Sequence, residues 1–261
     1  MTTRVILTDK IYNNPSAERK ASLLARYTKY ISQLIRGFAH TSIEIRKIRE
    51  SDKRIELLIK GPEELFVKNL IQTELGTVRE FGEIEKGDVL KGTLVNTGEV
   101  GFGLFADCGI MNPPTDIFLP LYTLREQLAN GQKVSLKQII NAYDFIDHFP
   151  LFIKIKEINT AHYEIKGKIA QKSLTLFDKI IKEHIEGLFL CGETKKQFKN
   201  ALIQKGHLQD IISITRYGFL EHLVLFKKGT NARGIISEIG NILEGCKFSV
   251  LNPKRIKTFI R

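Results

Sequence analysis

The 261-residue sequence predicts an α+β fold in three segments. The first and last show hydrophobic periods of three to four residues alternating with short two-residue alternation, in the orders β-α-β-β-α and β-α-β-β-α-β. Between them lies a run of short apolar stretches separated by turn residues, the pattern of a small closed β-barrel. The expected boundaries are 1–85 for a two-layer α/β domain, 86–165 for the barrel and 166–261 for the second α/β domain.

In the first segment "RVILTDKIY" reads as a strand. Asn13-Asn14-Pro15-Ser16 is turn chemistry that places Ser16 as a helix N-cap. Leu23, Leu24, Tyr27, Tyr30, Ile31, Leu34, Ile35 and Phe38 recur at helical spacing, and Gly37 marks the helix end. "SIEIRKIRESDKRIELLIKG" predicts a hairpin turning at Ser51-Asp52, with Arg46, Lys47, Arg49, Lys53 and Arg54 crowded near its tip. Gly61-Pro62-Glu63-Glu64 predicts a second helix with proline at its first position and Gly76 after its end. Two helices on one face of a small antiparallel sheet is the economical packing.

The second segment reads as five or six short strands among "GDVLKGTLVN", "GFGLFADCG", "TDIFLPLYTL", "KVSLKQIINAYDFID", "PLFIKIKEIN" and "AHYEIKGKI", with no long helix. "GEVGFGLFADCG" (Gly98–Gly109) is not a dinucleotide fingerprint. The third glycine of G-x-G-x-x-G is missing, and no helix pattern follows. Phe102 and Phe105 differ by three, so regular alternation sends them to opposite faces, one to the core and one to the surface.

In the third segment "EGLFLCG" is a strand, and Glu193–Lys205 a helix whose apolar face holds Phe198, Ala201, Leu202 and Leu208. "DIISITRYGFL" and "EHLVLFKKG" form a hairpin, "RGIISEIGNILEG" a helix and "KFSVLN" a last strand. The order β-α-β-β-α-β is ferredoxin-like. "NPKRIKTFIR" closes the chain as a basic tail or edge strand.

Charge separates the segments. The net charge of +11 is made of +3 in 1–85, −2 in 86–165 and +10 in 166–261, which points to a polyanionic partner for the last third. "GTNARGII" (Gly229–Ile236) has Walker-like glycine spacing, but Ile235 and Ile236 stand where lysine and Ser/Thr are needed. This excludes NTP hydrolysis of the P-loop kind and leaves a helix start beside Lys227, Lys228 and Arg233 that can hold a phosphate. Lys254, Arg255, Lys257 and Arg261 of the tail, and Lys91 on the first barrel strand, are further candidate phosphate contacts. Asp144, Asp147 and His148 are the nearest approach to a catalytic or metal cluster and lack accompanying ligands. Neither G-x-S-x-G nor H-E-x-x-H occurs. Three scattered cysteines give neither a disulfide framework nor a zinc motif. No apolar run reaches the ~18 residues of a membrane span, so a cytoplasmic protein without membrane contact is expected.

"KGDVLKGTLVNTGEVGFGLFADCG…TDIFLPLYTL" resembles the first half of an S1-type domain, the oligonucleotide-binding barrel of many RNA-binding proteins. Gly87, Gly92, Phe102, Gly103, Phe105 and Asp107 carry the resemblance over about 75 residues, and "IFLPLYTL" matches the later strand. Pro120 stands where many members have histidine, and Pro113-Pro114 lengthens the intervening loop. "VGFGLFA" is also similar to the ribonucleoprotein motif of RNA-recognition domains, but its hairpin-rich context fits the barrel. With "YDFIDHFPLFIKI" and "GTNARGIISEIG", the whole chain resembles an archaeal domain-of-unknown-function family with a central S1-like domain. These resemblances imply RNA as the partner, Phe102 as a stacking platform, and a setting in translation or RNA processing, with the ribosome or RNA polymerase as larger assemblies. An α/β domain followed by an S1-like barrel is also similar to the stalk subunits of archaeal RNA polymerase, which implies a protein-interaction role instead. A non-enzymatic protein without a cofactor is expected on either reading.

Overall fold

The computed structural model describes residues 2–12, 16–243 and 245–260. Asn13, Asn14 and Pro15 of the expected first turn, and the tail's Arg261, lie outside them. The chain divides into two compact units, Met1–Val78 with Gly218–Leu220, and Arg79–Tyr217 with Glu221–Arg261.

The first unit has the expected order β1 (Thr2–Lys10), α1 (Ala17–Leu34), β2 (Ser42–Ile48), β3 (Arg54–Lys60) and α2 (Glu64–Glu74). The sheet is antiparallel, ordered β1-β3-β2. Ser16 caps α1 by accepting from Arg19 N at 3.3 Å. Helix α2 starts at Glu64 rather than at Pro62, and Gly76 follows it with φ +87°, the left-handed conformation that suits glycine. Alternation along β3 buries Ile55, Leu57 and Ile59, while Leu23, Tyr27 and Ile31 of α1 and Val67 and Ile71 of α2 are buried from the helices.

The other sheet face holds a fully buried carboxylate. Glu56 Oε2 accepts from Arg4 Nη2 at 2.8 Å, and its Oε1 lies 2.8 Å from Arg4 Nε and 2.5 Å from Arg46 Nη1. Burial pushes the Glu56 carboxyl up, but hydrogen bonds and charge from Arg46 and Arg4 outweigh it and hold it below its usual value of 4.5. A depressed folded pKa means that the stabilisation is complete above the unfolded value and is lost as pH falls through the folded one. Melting temperature should therefore fall as pH drops below about 4.5, and Glu56→Gln should flatten that part of a calorimetric pH series.

The second unit begins with β4 (Arg79–Glu80), which runs parallel to β6. The barrel follows: β5 (Val89–Val95), β6 (Gly103–Met111), β7 (Thr115–Pro120), β8 (Pro150–Asn159) and β9 (Glu164–Ile169). The pairings β5–β6, β6–β7, β7–β9, β9–β8 and β8–β5 close the sheet, with β7–β9 parallel. This is the connectivity of the S1-like oligonucleotide-binding barrel. Leu94, Leu104, Ala106, Ile117, Leu119, Leu151, Ile153 and Ile155 fill the interior.

Several expectations in this unit are corrected. "TDIFLPLYTL" is a strand only to Pro120, which becomes the N-cap of α3 (Leu121–Leu128). "KVSLKQIINAYDFID" is not a strand but contains α4 (Leu136–Tyr143), closed at its start by a Ser135–Gln138 capping box. Leu136, Ile139, Ile140 and Tyr143 stand at helical spacing, which outweighs the β-branched content. "QKSLTLFDKIIKE" forms an unforeseen helix, α5 (Gln171–Glu183), burying Ser173, Phe177 and Ile180.

The C-terminal elements are β10 (Gly187–Cys191), α6 (Lys195–Gln204), β11 (Ile211–Arg216), β12 (Glu221–Phe226), α7 (Ala232–Ile239), β13 (Lys247–Leu251) and α8 (Pro253–Ile260). The antiparallel sheet order β11-β12-β10-β13 is ferredoxin-like. One face, through Leu188, Leu190, Val224 and Phe226, packs on Phe198 and Leu202 of α6 and Ile235 and Ile239 of α7. The other face joins the barrel's apolar cluster through Phe189, Leu223 and Leu225, with Phe189 4.3 Å from Phe149. Burial on both faces explains the apolar runs "GLFLC" of β10 and "LVLF" of β12. Leu208, expected on α6, lies beyond the helix and is exposed. The basic tail is not an edge strand. Pro253 opens helix α8, Asn252 Oδ1 accepts from Arg255 N at 3.0 Å, and Ile256 is buried.

Candidate nucleic-acid interface

The β6–β7 pairing places Phe105 directly opposite Phe118 on the outer barrel face, while Leu104, Leu119, Ala106 and Ile117 point inward. Their ring centroids are 5.2 Å apart. Gly103 makes room for them: a Cβ there would meet the Phe118 ring and come within 2.5 Å of Leu119 O. Phe102 precedes the strand, so the alternation rule does not apply to it. It does not face away from Phe105 as expected. Its ring lies 5.6 Å from Phe118 and 6.5 Å from Phe105, and the residue is 60% exposed. Leu121 N donates to Phe102 O at 2.9 Å, tying the backbone of Phe102 to the first turn of α3.

Phe102, Phe105 and Phe118 form one wall of a groove of about 700 Å³. The β6–β7 turn contributes Pro113 and Pro114, strand β7 Asp116, and the β8–β9 turn His162 and Tyr163. Tyr163 is 54% exposed and leans edge-on against Phe81 at 5.3 Å. Lys166 lies opposite Phe118 in the parallel β7–β9 pairing. A hydrogen bond to Glu157 at 3.2 Å and the charge of that carboxylate raise the Lys166 ammonium above its usual value. Exposed rings suit the faces of unpaired nucleotides, while the charge of Lys166 is shared with Glu157. The position is the one such barrels use, the strand 2–3 face beside the turns after the first and fourth strands.

The other expected contacts are not gathered here. Lys91 sits on β5 opposite Phe152, outside the lining of the groove. Lys227 and Lys228 line a separate open cavity of about 720 Å³, with His207 bridging Asp210 at 3.0 Å and Glu238 at 3.3 Å. Arg233 is in the first turn of α7, whose leading N–H groups are already used. Ala232 N donates to Glu186 at 2.7 Å, and Arg233 N and Gly234 N donate to Asn231 Oδ1 at 3.0 and 3.2 Å. The helix start expected to hold a phosphate is thus capped from within.

Lys254 and Lys257 are exposed on α8, which packs on α4 and α5. Arg255 is tied to the fold's own backbone. Its Nε donates to Ala142 O at 3.0 Å and its Nη2 to Val250 O at 2.5 Å, with Asp144 3.9 Å away. Arg255→Ala should therefore destabilise the fold by about 1–3 kcal/mol through two carbonyls left without donors. Lys254→Ala and Lys257→Ala should leave thermal melting unchanged.

The carboxylates of the Asp144–His148 stretch are likewise bonded within the fold. Asp144, left-handed at φ 56°, accepts from Val250 N at 2.6 Å, and Asp147 accepts from Thr97 N at 2.8 Å. Burial pushes the Asp147 carboxyl up, but bonds from Thr97 and the nearby Lys247 hold it below its usual range. Among the described residues, no group of three or more His, Cys, Asp or Glu side chains could hold a metal ion. Among them also, no helix is long and apolar enough to cross a membrane.

Sequence reasoning missed Phe118, Tyr163, His162 and Lys166. The paired apolar residues of "IFLPL" hint at Phe118, but only the strand register brings it to Phe102. The lone aromatic in the turn "TAHYE" is the one signal for Tyr163.

The class defined by this fold and groove is an oligonucleotide-binding-barrel protein with a ferredoxin-like domain sharing its core. Two family models match, the DUF2110 central domain over residues 84–181 and the DUF2110 C-terminal domain over residues 186–251. The chain belongs to the DUF2110 family. No curated protein matches it. Among solved structures it is similar to the intact alpha subunit of aIF2 from Pyrococcus abyssi, at 10% identity and TM-score 0.25, covering 65% of this chain and 97% of that one. The a/eIF2alpha–aDim2p–rRNA complex from Pyrococcus horikoshii matches at 13% identity and TM-score 0.26, over 47% and 64% of the two chains. The uncharacterized protein MJ1198 from Methanocaldococcus jannaschii matches at 13% identity and TM-score 0.24, over 34% and 96%.

Proposed function

We propose that this protein is a non-enzymatic RNA-binding protein, with translation or RNA processing as its setting. Its barrel groove takes one or two unpaired bases of a structured RNA. The observation that carries this reading is the exposed Phe102 ring, braced by Phe105 and Phe118 and facing the turn that bears Tyr163 across a groove of about 700 Å³. The groove's charge is mixed, with Asp116 and Glu164 beside Lys166. Stacking therefore supplies local affinity, and the basic C-terminal segment supplies the sequence-independent phosphate attraction.

The test is fluorescence anisotropy of the full chain with a labelled 12-nucleotide single strand and with a fully paired duplex of the same RNA. Preference for the single strand is expected. Equal affinity for both at every salt concentration would overturn the groove as the binding site, because paired bases offer it no free face.

A further inference from the structure

The open face of the N-terminal sheet gathers three cations around the single carboxylate of Glu56. In the β2–β3 register Ile45 pairs with Leu57 and Ile48 with Ile55, and both β3 partners are core residues. The register shift between them leaves Arg46 and Lys47 together opposite Glu56 on the outer face. Regular alternation would have sent one of the two into the core. From β1, Arg4 reaches the same carboxylate, since its neighbour on that face, Ile6, pairs with Glu56.

The acid is fully buried, whereas the Arg4 and Arg46 side chains keep 54% and 48% of their surface exposed. Both oxygens of Glu56 are engaged by the arginines. Lys47 is exposed and has no acidic partner among the described residues. Lys60 and Glu44 pair at 3.0 Å in the adjoining strands and cancel. The local excess is therefore positive and immobilised. Stability alone does not call for it, since apolar residues commonly replace buried ion pairs at no cost.

We propose that this face is a binding site for the phosphate backbone of RNA, formed by Arg4, Arg46 and Lys47, with Glu56 as the positioning residue that fixes the two guanidiniums. Guanidinium forks match phosphate oxygens, and anchoring them in advance removes the ordering cost of two long side chains. The centre of a protein-docking face would be depleted of charge, and this centre is charged. The site shares no residue with the barrel groove, so the two readings fail separately.

The test uses the full chain and a labelled 20-nucleotide oligouridine over a salt series. Arg46→Gln with Lys47→Gln leaves Arg4 on Glu56. It should lower the magnitude of the slope of log K against log salt by about 1.4, at ~0.7 for each phosphate neutralised in a single strand. Lys47→Gln alone touches no buried group and should lower it by about 0.7 without changing the melting temperature. Slopes and affinities equal to wild type in the folded variants would overturn the proposal. So would an unchanged RNA slope combined with lost binding to polyglutamate, which would assign the face to an acidic protein. If the barrel reading alone is wrong, Phe102→Ala leaves oligouridine binding intact while Lys47→Gln still weakens it.

Discussion

Phe102→Ala should lower affinity for single-stranded RNA by about 1–3 kcal/mol, a loss of roughly 5- to 150-fold, while leaving the salt slope untouched. The magnitude follows from what the ring does in the fold. It is 60% exposed and makes edge contacts with Phe105 and Phe118, so its removal opens no internal cavity. Unfolding free energy should stay within about 0.5 kcal/mol of wild type, as for surface substitutions away from special features. Stacking and phosphate contacts respond differently to salt, so anisotropy at several ionic strengths separates them. Lost affinity with the slope intact belongs to the ring; a reduced slope would mean that the substitution had moved a cation.

Gly103→Ala should be the more damaging change, although it adds only a methyl group. Its Cβ would meet the Phe118 ring and come within 2.5 Å of Leu119 O, which is strand backbone and cannot turn aside. Either the β6–β7 pairing separates at Gly103–Pro120 or Phe118 leaves the groove wall. Overpacking of this kind costs about 1–3 kcal/mol, so both the calorimetric midpoint and RNA affinity should fall. Adding Phe118→Ala should recover only part of the stability, because the clash with Leu119 O remains, and none of the binding. Gly101→Ala is the control: nothing lies within 4 Å of its Cβ, and it should change stability little.

These two neighbours also show what the sequence makes legible. Glycine beside aromatics in "GFGLF" marks a hairpin that offers a ring, and the alternating apolar residues of β5, β8 and β9 mark a barrel. Local rules go astray where an element ends. Phe102 escapes the alternation argument because the strand begins one residue later, at Gly103. The helices α4 and α5 escape because eight to thirteen residues rich in isoleucine and leucine fit a strand by composition and a helix only by spacing. The tail shows a further limit. A run such as "PKRIK" advertises charge, but whether an arginine meets solvent or a backbone carbonyl depends on residues more than a hundred positions away, as Arg255 and Ala142 show. Likewise Glu56 is an ordinary member of an alternating strand until the bulge in β2 places two cations against it. Pairwise long-range register is the information that local pattern lacks, and the groove and the cationic face are both built from it.

The most direct measurement of the central claim is photocrosslinking of the full chain to a single-stranded RNA carrying 4-thiouridine, with the crosslinked residues located by mass spectrometry. The proposed role of the barrel predicts crosslinks to Phe102 and to the turn bearing His162 and Tyr163, competed by unlabelled single strand. Crosslinks confined to the exposed lysines, with none from the groove at low salt, would contradict it.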